Sequence, residues 1–160
     1  MNREWRQGEY TISDDRSRID DDRVTAMIGA TYWAKDIPRE TMVRALDNSL
    51  VFGIYHDEDG QVGLARVITD RATYAYLCDV LIFDGYRGRG LGVWLVETIA
   101  AHPDLQGLRR WSLATRDAHG LYEKIGFTPV AFPNSYMERS FPNLYRRKEP
   151  VEPKESSGPT

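Results

Sequence analysis

Seven consecutive residues, Tyr86-Arg87-Gly88-Arg89-Gly90-Leu91-Gly92, put three glycines and two arginines between an apolar run and a helical pattern. Upstream, Tyr74 to Phe83 is rich in aromatic and β-branched residues, as a buried strand would be. Downstream, Leu91, Trp94, Leu95, Thr98 and Ile99 recur at the spacing of one helix face until Pro103 stops it. Glycines at 88, 90 and 92 allow a turn whose backbone N–H groups point one way, at the positive end of the helix dipole, with no side chain blocking a ligand. Such a turn is a cradle for an anion, a phosphate above all.

The spacing narrows the anion. A dinucleotide fingerprint needs its third glycine one residue further on, and a phosphate-binding loop of the Walker type needs Gly-Lys-Ser/Thr where this chain has Gly92-Val93. The segment instead resembles the Arg/Gln-x-x-Gly-x-Gly/Ala signature of the GNAT superfamily of acyl-CoA N-acyltransferases, with Arg87, Gly90 and Gly92 at the motif positions. The resemblance implies that Arg87, Gly88, Arg89, Gly90, Leu91, Gly92 and Val93 hold the pyrophosphate of coenzyme A.

A second segment, Thr115 to Phe127, places apolar residues at 118, 121, 122 and 125, a capping candidate at Asp117, and Gly126 as a stop before Phe127 opens a strand. It is similar to the later GNAT motif, in which a helix carries a tyrosine and ends in Gly-Phe. The two segments stand in the family's order, with a helix and a short strand, Arg110 to Ala114, between them. The likeness covers residues 50 to 130.

Acyl transfer from a thioester to an amine needs a held donor, a free amine, a partner for the carbonyl oxygen and a proton for the departing thiolate. By resemblance, Val80, Leu81 and Ile82 leave their pairing with the next strand, and their backbone groups bind pantetheine and the thioester oxygen. Tyr122 matches the family's proton donor, and a phenol is protonated at neutral pH. Thr115 stands where many members carry an asparagine that contacts the cofactor, and its hydroxyl is shorter. Asp79 is the candidate general base, or else a structural acceptor, since side chains alternate across a strand. His119, His56 and His102 have ordinary structural readings, and Cys78 is better read as a small hydrophobe than as an acyl carrier. Direct transfer is therefore expected.

For the acceptor pocket the resemblance points to the first two helices and the C-terminal strands, hence to Tyr32, Trp33, Asp36 and Arg66, with Phe132, Tyr136 and Phe141. Aromatic rings with an acid would hold an amine, and an arginine would hold a carboxylate. The expected activity is transfer of the acetyl group of acetyl-CoA to a small-molecule amine. The alternatives are the same chemistry on a protein or peptide amine, and a non-catalytic acyl-CoA-binding sensor.

These residues must be positioned by one core. The chain has 160 residues, 41% of them hydrophobic, enough for one domain, expected over residues 1–145. One cysteine excludes an internal disulfide framework, and no Cys/His cluster has metal-ligand spacing, so no metal is expected. The N-terminus lacks the apolar run of a signal peptide and no stretch is apolar enough to span a bilayer, so a cytoplasmic protein with no membrane partner is expected. A net charge of −3 argues against nucleic acid as a partner. Self-association as a homodimer through exposed strand edges is left open.

The elements read in order as a strand from Glu9 to Ser13, a helix capped by one of Asp20, Asp21 or Asp22 and running to Trp33, and a helix opened by Pro38. Then come a hairpin of Leu50–His56 with Gln61–Ile68, the strand and helix flanking the glycine loop, and the second motif. A last strand is expected around Tyr136 to Glu138, and a disordered Pro/Ser-rich tail over 146–160. The order β-α-α-β-β-β-α-β-α-β is the one GNAT domains use. The fold class is therefore α/β (α+β): a mixed, mostly antiparallel central sheet flanked by helices, with splayed strands at the cofactor site.

Overall fold

The apolar runs of residues 50–82 become three long neighbouring strands, and the computed structural model, which describes residues 1–146, builds the rest around them. In chain order the elements are β1 (Glu4–Gln7), β2 (Tyr10–Ser13), α1 (Asp21–Gly29), α2 (Arg39–Asp47), β3 (Leu50–His56), β4 (Gly60–Thr69), β5 (Tyr74–Ile82), α3 (Leu91–Ala100), β6 (Arg110–Ser112) and α4 (His119–Glu123). The six strands form one sheet in the order β1-β2-β3-β4-β5-β6, antiparallel throughout except for the parallel β5–β6 pair.

Alternation along the strands feeds two cores. Leu50, Phe52 and Ile54 pack with Leu95, Val96 and Ile99 of α3 on one face. Val51, Leu64 and Phe83 pack with Val24 and Ile28 of α1 and Met42 and Leu46 of α2 on the other. Fully buried leucines such as Leu46 and Leu95 contribute roughly 1.5–3 kcal/mol each, which is what pins a helix to either face. The α1 cap is Asp20, whose side chain accepts from the Arg23 N–H, with Asp21 and Asp22 beside the positive end of the dipole. Among the described residues no helix is long and apolar enough to cross a membrane.

The structure corrects several boundaries. The first strand is preceded by β1, an edge strand with mostly exposed side chains. Helix α1 ends at Gly29 and not at Trp33, because the chain turns back to bond the Asp36 N–H to the Gly29 carbonyl. Pro38 is the cap of α2 and not its first residue. Phe127 does not open a strand, and Tyr136 to Glu138 does not form one. The predicted tail lies, but for Arg146, outside the described residues.

Two irregularities shape the functional end. β5 and β6 pair only from Tyr74↔Arg110 to Tyr76↔Ser112, so β5 runs on to Ile82 with no strand on its outer edge among the described residues. On the other side of β5, the register with β4 slips between Leu64↔Leu81 and Arg66↔Cys78, so Asp79 and Val80 together face Ala65. That is a β-bulge, and its Asp79 takes a φ of 52°.

Candidate active site

The bulge decides where Asp79 points. Ala75 and Leu77 face the α3 core, and so do Val80 and Ile82, a change from odd to even positions across the extra residue. Asp79 therefore joins the α1–α2 side of the sheet. There its Oδ1 accepts from Nε1 of Trp33 at 2.9 Å and its Oδ2 accepts from Nε of Arg66 at 2.8 Å. Arg66 also donates through Nη1 to Ser49 Oγ at 3.2 Å. The side chains of Arg66 and Asp79 are only 16% and 6% exposed, so this ion pair is largely shielded from water. Of the predicted acceptor and base residues, Trp33, Arg66 and Asp79 thus meet in one bonded cluster.

Tyr32 lies edge-on to Trp33 with ring centroids 5.1 Å apart, and the Arg116 guanidinium lies over the Tyr32 ring, 3.8 Å from its centroid. Tyr122 is buried on α4, packed edge-on against Phe127. Burial raises its phenol above the ordinary tyrosine value, and the nearby Tyr32 adds to the rise. The Tyr122 phenol therefore keeps its proton at neutral pH. Cys78, across from Arg66, is pushed up to about 12 by burial, against the lowering influence of the guanidinium. It stays a thiol.

The glycine loop sits beyond the end of β5. Gly90 caps α3 with φ 78° and Gly88 has φ 75°, both in the left-handed region. A Cβ on either would meet nothing within 4 Å, so it is the backbone conformation, not crowding, that calls for glycine, and the space in front is open. No side chain caps α3, which leaves its first N–H groups, those of Leu91, Gly92 and Val93, facing that space. Arg87 donates from Nε to the Ile82 carbonyl at 3.1 Å, tying the loop to β5. Arg89 donates to the Tyr10 hydroxyl at 2.8 Å and to the Gly85 carbonyl at 3.0 Å, tying it to β2.

Thr115 Oγ1 accepts from the Ala118 N–H at 3.0 Å, and the cap position of α4 is Ala118, with no side-chain bond, and not Asp117. The Thr115 hydroxyl proton is left for another partner. His119 is exposed, and His102 is fully buried, with Nδ1 accepting from the Asp104 N–H so that Nε2 carries the proton donated to Asp14 at 2.8 Å. Phe132, Tyr136 and Phe141 do not join the cluster and are exposed, and Asp36 makes no side-chain contact with it. Ser49 and Arg116 were not singled out by sequence. Ser49 lies in no local motif, Arg116 lies inside the Thr115–Phe127 segment without being part of its pattern, and only tertiary contact marks them.

Three comparisons bear on this arrangement. The family model for the acetyltransferase (GNAT) domain matches residues 47–129, from the end of α2 to just past α4. A candidate acetyltransferase of Gibberella zeae is 33% identical over 142 residues, covering 75% of this chain and 79% of that protein. Among solved structures, a GNAT-family protein from Xanthomonas campestris pv. campestris superposes with a TM-score of 0.85 at 49% identity, over 89% of this chain and all of the other. Glucosamine-6-phosphate N-acetyltransferase from Arabidopsis thaliana shares the fold, with a TM-score of 0.60 at 17% identity, over 84% of this chain and 99% of its own.

Proposed function

Given that the chain belongs to the GNAT family of acetyltransferases, we propose that it moves the acetyl group of acetyl-CoA directly to the primary amine of a small molecule, as one domain over residues 1–145. The observation that carries this reading is the outer edge of β5 beyond Tyr76, which no strand covers among the described residues and which leads into the glycine-capped start of α3.

In this reading the N–H groups of Leu91, Gly92 and Val93 bind the diphosphate, with Arg87 and Arg89 holding the loop in shape. Backbone groups of Val80, Leu81 and Ile82 bind the pantetheine arm as a neighbouring strand would, and one N–H donates to the thioester oxygen. Acetyl-CoA, as substrate, brings an acyl group already activated as a thioester. The nitrogen of the neutral amine bonds the carbonyl carbon, the C–S bond breaks, the Tyr122 hydroxyl gives its proton to the departing thiolate, and the proton shed by the nitrogen passes to water, from which the phenolate is reprotonated. Asp79 holds Trp33 and Arg66 in place at the acceptor side. We read Asp79, whose two carboxylate oxygens each accept one of these hydrogen bonds, as a positioning residue in place of the base.

The test is mass-spectrometric detection of acetylated products after incubation with acetyl-CoA and pooled amines, amino acids and peptides, beside Tyr122→Phe. The variant should lose about 10²-fold or more in kcat while its calorimetric Kd for coenzyme A stays at the wild-type value. Donor binding without any product above the no-protein control would replace the enzyme reading with the sensor one. Equal kcat in the variant would remove Tyr122 from the mechanism.

A further inference from the structure

Arg116 stands between Thr115 and the helix α4 that carries Tyr122, and its guanidinium lies over the ring of Tyr32, 3.8 Å from the centroid. Tyr32 belongs to the chain between α1 and α2 and meets Trp33 edge-on, and Trp33 is bonded to Asp79 at the bulge of β5. Tyr32 also stands near Tyr122, whose phenol it helps to raise. Arg116 is thereby tied to the side of the site read as the acceptor's, at the bulge, and not to the glycine loop beyond Ile82.

The charges gathered there do not cancel. Asp79 spends one carboxylate oxygen on Trp33 and the other on Arg66, and Arg66 is spent in turn on Asp79 and Ser49. Arg116 differs: among the described residues its guanidinium donates no hydrogen bond and pairs with no carboxylate. The exposed acids beside it and beside Tyr32 in the chain, Asp117 and Asp36, form no ion pair with it. A guanidinium stacked on a ring uses its face and leaves its N–H edges for an oxyanion, which it grips with two parallel hydrogen bonds.

The sign of that surplus discriminates between amines. A site for a polyamine, or any purely cationic amine, calls for an uncommitted acid to hold the ammonium, and the acid of the bonded cluster is committed. A surplus cation does the reverse. It disfavours the ammonium form, so it favours the neutral amine that must attack, and it attracts an anion carried on the same molecule. Resting on the acetyl-transfer reading of this site, we propose that the acceptor is an amine that also bears an oxyanion, a carboxylate or a phosphate, and that Arg116, steadied by Tyr32, receives it. Held at two points, the substrate has its nitrogen aimed as well as selected. Arg66, for which the sequence suggested a carboxylate-binding role, yields it to Arg116 because its own donors face Asp79 and Ser49.

The experiment measures acetyl transfer by mass spectrometry with paired acceptors: L-amino acids beside their carboxamides, and phosphoethanolamine beside ethanolamine. The charged member of one pair should exceed its neutral partner at least about 10-fold in kcat/KM, and the pair that responds identifies carboxylate or phosphate. Arg116→Gln should bring that ratio to within about 2-fold of unity, and Arg116→Lys, which keeps the charge without the fork, should fall between. Calorimetry with coenzyme A and dephospho-coenzyme A gives a second readout, in which Arg116→Gln should move neither Kd more than about 2-fold. A variant that weakens coenzyme A but not its dephospho form makes Arg116 a contact of the donor's ribose phosphate and overturns the inference. Neutral acceptors used as well as their charged partners overturn it too, as does a ratio that Arg116→Gln leaves intact. These outcomes leave the acetyl-transfer reading standing. Transfer to no amine, with coenzyme A still bound, removes that reading and this inference with it.

Discussion

Asp79→Ala is the perturbation whose outcome the geometry constrains most tightly. The substitution leaves the Arg66 guanidinium without its counter-ion and the Trp33 indole N–H without its acceptor. Breaking a buried ion pair from one side costs about 3–5 kcal/mol. Arg66 keeps the Ser49 hydroxyl and 16% of its side-chain exposure, which places the effect near the lower bound. An alanine at φ 52° adds strain that aspartate and asparagine tolerate better. We expect a loss of about 3 kcal/mol by urea unfolding at pH 7, or a fall in Tm of roughly 6–12 °C for a chain of this length. Asp79→Asn keeps the Trp33 bond and the backbone conformation and should lose only about 1–2 kcal/mol. Pairing Asp79→Leu with Arg66→Met removes both charges, so the double variant should be at least about 1.5 kcal/mol more stable than the sum of its singles implies. Additivity within about 0.5 kcal/mol would refute the coupling, and Asp79→Ala within the same margin of wild type would refute the burial argument. Asp79→Asn should also keep kcat/KM within a few-fold. A loss of about 10²-fold with the acidic limb of the pH profile abolished would make Asp79 the base after all.

Two further outcomes follow from burial. Cys78, held as a thiol by burial, should react slowly with a soluble disulfide reagent at pH 8 in the folded protein. Cys78→Ala should keep activity, and an acetylated enzyme in intact-mass spectra would contradict direct transfer. Burial raises the phenols of Tyr55, Tyr76 and Tyr122, so the folded chain holds those protons more tightly than the unfolded one. Stability is then complete below the unfolded tyrosine value of about 10 and falls as pH rises above it, through the folded values. The urea midpoint should drop between pH 9 and pH 11, and a flat profile would contradict the shifts. Tyr55→Phe should flatten the drop at no cost near neutrality, because the buried Tyr55 hydroxyl has no hydrogen-bond partner among the described residues.

The sequence was most readable where a local pattern and a burial pattern coincide. β3 to β5, the glycine loop and α3 follow from alternation, from helical spacing and from the left-handed demand at Gly88 and Gly90. β1 escaped because Glu4-Trp5-Arg6-Gln7 has one apolar residue and an edge strand buries little. The end of α1 escaped because a tertiary demand overrides propensity: the chain leaves the helix in time for Trp33 to reach an acid 46 residues away. Strict alternation would have set Asp79 with Ala75 and Leu77, and only the bulge, a product of how β4 meets β5, turns it to Arg66. The strand expected at Tyr136 to Glu138 has the right side chains but pairs with no strand among the described residues, and a lone extended stretch is not a sheet.

Strand order across the sheet is the same as strand order along the chain. A chain threaded out of the ribosome from its N-terminus therefore never waits for a missing neighbour: each new strand emerges beside one already made. The α1–α2 layer is in place before β3 leaves, and the glycine loop is synthesised onto a finished β5. What arrives last is α4 with Tyr122, followed by residues 128–144, which are exposed throughout. A ribosome-bound chain cut short before residue 115 would thus hold the glycine loop proposed to cradle an anion while lacking the group proposed for proton donation, so the proposed binding element is made before the proposed chemical one.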